Sequence, residues 1–288
     1  HQLWHVNGWQ QDTSFQQLPV EVSIGVKAFH SYSPLQIHFQ TDLMHQFLLN
    51  HIFQIAYWSS SLNFGFGYIN STTTPSFIQN HFSGNNFRWD NQFELEKYKG
   101  WFVQSFSNHN VEFAIHRLTF SNYLYWNPAG TPAQFADDIK MLRIKCWKDS
   151  HITNFHFNVG LLYQHFTNDS IIQLPVFATF TQLYLEKDYF KHSLYAQAGI
   201  DMSYTTDYYA PAYSPETGQF FNQGYVKLQK FYPVVDVFAN LKIRSARVFL
   251  KVENLNQQII KSKGYFSALH YPAADTSFKF GFDWMMWN

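Results

Sequence analysis

Apolar and polar residues alternate one by one along much of this chain, and the alternation is strongest at residues 276–288. There Phe278, Phe280, Phe282, Trp284 and Met286 fall on one side, and Ser277, Lys279, Gly281 and Asp283 on the other. A period of two is that of a β-strand whose two faces meet different surroundings. The same step recurs at Val22, Ile24, Val26 and Ala28, and at Leu62, Phe64, Phe66 and Tyr68. It returns over 154–163, 193–202, 235–244 and 247–253. In the last two stretches Val235, Val237, Ala239, Leu241, Ile243, Val248, Leu250 and Val252 form the apolar face.

Other segments give weaker patterns. Residues 35–57 are apolar-rich but change phase, which predicts about two strands without a register. Phe87, Trp89, Phe93 and Leu95 oppose Arg88, Asp90, Gln92, Glu94 and Glu96, predicting a strand that turns at 97–100. Strand-like pieces follow at 101–106 and 111–125. Ile172, Leu174, Val176 and Ala178 predict another apolar row, with Pro175 weakening its ladder. Residues 1–17 have no period and read as a loop or a frayed strand end. Ser, Thr, Asn, Gly and Pro concentrate at 71–86, 127–138, 205–223 and 254–276, which predicts long loops.

The aromatic faces need an apolar cover, and almost no amphipathic helix is available to supply it. The remaining apolar medium is lipid, and strands face lipid inside a closed barrel, where every backbone group is paired. The expectation is therefore an all-β, transmembrane antiparallel β-barrel forming a single domain over residues 1–288. At about 9–11 residues per strand plus connections it has roughly 12–14 strands, an even number, with long exterior loops and short periplasmic turns. The stretch 205–223 belongs to the exterior rim.

Composition agrees. The chain is 46% hydrophobic and 20% aromatic but only 14% charged, against about 25% charged in a soluble domain. Mean hydropathy is slightly negative at −0.28, and no apolar run approaches the roughly 18 residues of a spanning helix. Lys and Arg balance Asp and Glu at 20 each, leaving no basic field for nucleic acid. Cys146 is the one cysteine; it falls on the side of Leu142 and Ile144, as an apolar filler more than a reactive thiol. The chain opens at His1 without an export signal, which reads as a processed form or a fragment.

Blocks over 201–223, 232–257, 264–272 and 278–284, with YLYWNPAGTPAQ and residues 171–201 before them, resemble the putative porins of Bacteroidota outer membranes. The resemblance spans about 123–288 and implies one barrel in the outer membrane of a Gram-negative bacterium. It brings no catalytic residues and no cofactor. Family members are longer than this chain, so an N-terminal part is missing or diverged. The implied partners are the lipid bilayer, lipopolysaccharide, the barrel-assembly machinery and other outer-membrane proteins. Phe278, Phe280, Phe282 and Trp284 are similar to the C-terminal strand that the assembly machinery recognises.

The candidate functional residues are the charges opposite the apolar rows: Asp201, Asp236, Lys242, Arg244, Arg247, Lys251 and Glu253. Opposed charges around a lumen filter small polar solutes, so a passive porin is the expected function. A non-conducting accessory barrel, with those charges paired across strands, is the alternative. Among the 14 histidines, His1 and His5 lack a helix to hold them, and His45 and His51 lie about 20 Å apart on one strand. His151 and His156, an odd number of residues apart, are expected on opposite faces. No metal site and no enzyme is expected.

Overall fold

The structure is a computed structural model that describes residues 2–8, 11–17, 24–32, 34–44, 48–107, 110–191, 193–224, 226–227, 232–258, 266–269, 271–272 and 274–284. Its body is a 13-stranded sheet in which each strand pairs with the next along the chain. The strands are β1 (Ile24–Tyr32), β2 (Leu35–Met44), β3 (Leu48–Trp58), β4 (Leu62–Thr73), β5 (Glu96–Ser107), β6 (Val111–Ser121) and β7 (Ile139–Ile152). They continue with β8 (Phe155–Phe166), β9 (Phe177–Tyr189), β10 (Leu194–Thr205), β11 (Val234–Ile243), β12 (Ala246–Glu253) and β13 (Ser277–Trp284). Every pairing is antiparallel.

The register sorts side chains as the alternation requires. Phe278, Phe280 and Phe282 oppose Val252, Leu250 and Val248 on the outward face, and Phe280 is 74% exposed. Leu142, Ile144 and Cys146 share one outward line on β7, bracketed by Lys140 and Lys148, which lie about 26 Å apart along the strand. The inward face is crowded: a Cβ at Gly281 would sit 2.0 Å from the Phe249 ring, and one at Gly160 would sit 2.6 Å from Trp147. Glycine at these two places lets a large ring lie flat against the neighbouring strand.

Turns and loops divide between two rims. β1–β2, β3–β4, β5–β6, β7–β8, β9–β10 and β11–β12 join by short turns, several with left-handed residues such as Asn110, Thr153 and Arg244. Such φ values match the twist of tight hairpins. At the other rim lie the described residues of the long connections 74–95, 122–138, 206–233 and 254–276, together with 167–176. The buried apolar cluster Ile139, Met141, Phe166 and Ile172 also sits at this rim, beneath the loops.

Several expectations need correction. The sheet is open: among the described residues β1 and β13 are its two ends and do not pair with each other. Residues 1–17 contain a hairpin, Gln2–Gly8 with Gln11–Gln17, outside the main sheet. Residues 97–100 are not a turn; they open β5, while the alternating stretch before them contributes only Arg88–Asp90 to a small loop hairpin. Trp89 is buried, not lipid-facing. Ile172, Leu174 and Val176 precede β9, whose first residue Phe177 opposes outward Tyr163, so Ala178 takes the inward phase. The loops at 71–86 and 127–138 also change: Ser71 and the two residues after it extend β4, and Tyr123–Trp126 pairs with Pro132–Phe135.

The outward phase has an energetic consequence. Ile144→Arg, midway between Lys140 and Lys148, is expected to lower unfolding free energy by about 2–4 kcal/mol, and Leu62→Arg at the turn rim by about 0–1 kcal/mol. Urea titration of the protein folded into lipid vesicles measures both.

Candidate functional site

The inward wall of β8–β13 carries a chain of polar contacts. Asp201 on β10 and Asp236 on β11 are direct register partners, an arrangement of like charges that is unfavourable alone. Lys251 on β12 resolves it: its Nζ lies 2.9 Å from Asp236 and 3.7 Å from Asp201. Gln182 Nε2 donates to Asp201 at 2.8 Å, and the Asn158 and Gln182 amides meet at 3.1 Å. On the other side Lys279 pairs with Glu253 at 2.7 Å. The line crosses six neighbouring strands.

Nearer the turn rim, His156 Nε2 lies 3.0 Å from Glu186, and the Tyr195 hydroxyl donates to the other oxygen of that carboxylate at 2.5 Å. The His156 ring stacks on Tyr184 at 4.5 Å and on His151 at 5.6 Å. His151 and His156 therefore share a face, against expectation. Odd spacing separates faces only within one strand; the turn at 153–154 makes these two direct partners on β7 and β8. Asn240 Nδ2 donates to Gln197 at 2.8 Å.

Among the seven charges singled out from sequence, Asp201, Asp236, Lys251 and Glu253 join ion pairs on the inward wall. Lys242 and Arg247 are direct partners at the turn rim, two positive charges side by side. Arg244 lies in the two-residue turn after β11 with φ 54°, so strand parity does not extend to it. Sequence reasoning missed Gln182, Glu186, Tyr184 and Tyr195. They occupy the inward phase of β9 and β10, and the phase slip before β9 hid the first three; Tyr195 passed as an inward filler.

Above the wall, the long loops knit into a cap. Both the backbone N–H and the side-chain amide of Asn86 donate to the Glu216 carboxylate at 2.8 Å. Trp89 and Trp126 meet edge to face at 5.6 Å, and the Asn222 backbone donates to Trp126 O at 2.8 Å. Asn222 Nδ2 reaches Ile171 O at 2.7 Å. Tyr213 meets Tyr271 edge to face, and Ala212 bridges to Leu269. Gln223, fully buried, donates to Ala210 O and Val226 O. The Tyr232 hydroxyl donates to Asn254 at 2.7 Å, and burial pushes its pKa up against that bond.

A family model described as Putative porin matches residues 10–288. The chain belongs to that family. No curated protein matches it in sequence. Its fold is similar to that of the ferric enterobactin receptor PfeA from Pseudomonas aeruginosa, with TM-score 0.60, 10% identity, and coverage of 86% of this chain and 40% of that one. The FrpB iron transporter from Neisseria meningitidis gives TM-score 0.54, 13% identity and coverage of 82% and 40%. The copper transporter OprC gives TM-score 0.54, 12% identity and coverage of 92% and 45%. This porin-family chain thus spans less than half the length of those structures, and its fold is that of an outer-membrane β-barrel.

Two predictions follow the geometry of wall and cap. Lys251→Gln leaves Asp201 and Asp236 facing each other and is expected to destabilise the wall by about 1–3 kcal/mol; adding Asp236→Asn restores part of that loss in the same urea titration. Glu216→Ala frees Asn86, and hydrogen exchange should quicken at 84–91 and 212–221 while the strands keep their protection.

Proposed function

We propose that this protein is an outer-membrane porin whose inward wall lets small polar solutes diffuse passively. One observation carries the reading: the polar line from Asn158 through Gln182, Asp201, Asp236 and Lys251, with carboxylates and amines on adjacent strands. Opposed charges across a water-filled path create a transverse field that orders water and slows apolar solutes. The outward aromatic rows hold the wall in lipid, and β13 with Phe278, Phe280, Phe282 and Trp284 is the strand offered to the barrel-assembly machinery. In a bilayer the edges of β1 and β13, unpaired among the described residues, need a partner strand, since hydrocarbon offers no other partner for their backbone groups.

The interlocked cap favours a second reading, a non-conducting accessory barrel that presents an ordered exterior surface to another envelope protein. The two separate by experiment. The complete protein in planar bilayers is expected to show stepwise conductance, and Lys251→Gln to raise its preference for cations over anions. Silence at every potential, together with stoichiometric co-purification of a partner in mild detergent, would replace the porin by the accessory barrel.

A further inference from the structure

The outward face of the strands sorts charge by sign. Every strand carboxylate from Glu96 on β5 to Asp283 on β13 lies at an inward position of the register. Basic residues do occur outward, but only near the two rims. Lys148 and Lys187 lie toward the turn rim. Toward the loop rim Lys97, Lys99, Arg117 and Lys140 gather on β5, β6 and β7, all exposed.

The register fixes how close these four lie. Thr119 pairs with Lys99 on one side and Lys140 on the other. With strands about 4.8 Å apart, the two lysines stand about 10 Å apart across it, and Lys97 lies about 7 Å along β5 from Lys99. Arg117 is the direct partner of Trp101. Among the described residues none of the four has an ion pair. The carboxylate nearest in register is Asp138, which accepts from Ser121 Oγ.

Four like charges held together with a single carboxylate, Asp138, at the edge of the group are unfavourable unless an anion joins them. The surface beneath limits what that anion is. On the same outward face, one line further from the loops, lie Tyr68, Trp101 and Leu142, then Phe66, Val103, Ile115 and Ile144. A ligand on this patch touches amines and a guanidinium at its head and an aromatic and aliphatic wall below it. We infer that Lys97, Lys99, Arg117 and Lys140 bind the phosphate groups of a lipid in the outer leaflet, a phosphorylated glycolipid of the lipopolysaccharide type. The acyl chains run down the outward faces of β5–β7. Arg117 supplies a planar fork for phosphate oxygens, and the lysines reach up from the wall to place their ammonium groups at headgroup depth.

The inference rests on the outer-membrane reading with the long loops outside, and not on conduction. The complete protein is titrated with lipopolysaccharide in mild detergent, and bound lipid is counted by native mass spectrometry. The K97Q/K99Q/R117Q/K140Q variant is expected to bind at least about tenfold more weakly than wild type. K99Q/K140Q should lose less, and K148Q/K187Q at the other rim should lose nothing. Enzymatically dephosphorylated lipopolysaccharide should bind wild type as weakly as intact lipid binds the quadruple variant. Inorganic phosphate at the same phosphate concentration should not compete. Equal binding by wild type and the folded quadruple variant overturns the site; full competition by inorganic phosphate overturns the lipid in favour of a plain anion. Heat-modifiable gel mobility checks that each variant folds, and unchanged single-channel conductance in the quadruple variant separates this failure from failure of the porin reading.

Discussion

A peptide N–H in hydrocarbon has no water to bond, and each one left unpaired costs several kcal/mol. That constraint shapes the molecule. It explains why the strands run as an unbroken meander, each hydrogen-bonded to its sequence neighbour. Such a connection needs only a short turn on one side, where non-glycine residues take left-handed φ to match the strand twist. It also makes side-chain phase absolute, because a one-residue slip would exchange the lysines of the inner wall for the phenylalanines of the outer one. The free edges of β1 and β13 are the places where the constraint is not met by the described residues themselves.

With backbone pairing carrying the wall, apolar burial is free to act elsewhere. Most tightly buried residues lie in the loops or at the loop rim, among them Trp89, Leu124, Ile139, Ala212, Tyr232 and Leu269. The arrangement of a soluble domain is reversed: the regular sheet exposes its large side chains, and the irregular connections hide theirs. Hydrogen bonds from Asn86 and Asn222 cross between loops far apart in sequence, and those from Gln223 tie the connection after β10 to itself. A cap tied in this way is a structural unit, even though its parts read individually as loose polar connections.

The same division decides what was legible in the sequence. β10 to β13 could be read with correct phase, because their outward rows are unbroken and their inward rows are small or charged. The candidate charges of β10 to β12 were found for that reason. The cap was illegible. Residues 87–95 alternate like a lipid-facing strand, yet Trp89 finds its apolar surroundings in Phe82 and Trp126. Alternation reports that two faces differ, not whether the apolar one meets lipid or protein. Ile172, Leu174 and Val176 misled in the same way and carried the error into β9. The stacking of His151 on His156 needed the position of the turn between them, which spacing alone does not contain. Lys97 and Lys99 read as part of a turn, yet they open β5 on its outward face; at the rim, a lysine stem can lie along that wall while its head stays in the polar layer.

The wall's charges also carry a direction. At the turn rim Lys242 and Arg247 stand side by side, whereas higher on the same strands two aspartates share one lysine. Lys251 neutralises one negative charge there and leaves the other, while at the turn rim Asp188 on β9 and Asp283 on β13 stand on the same line as Lys242 and Arg247 and balance them. The surplus charge of these strands therefore lies at the level of Asp201 and Asp236 and not at the turn rim. The stacked rings of Tyr184, His156 and His151 stand between those two levels. The spacing of charges along the strands, more than their total, therefore sets the field that the inward wall presents.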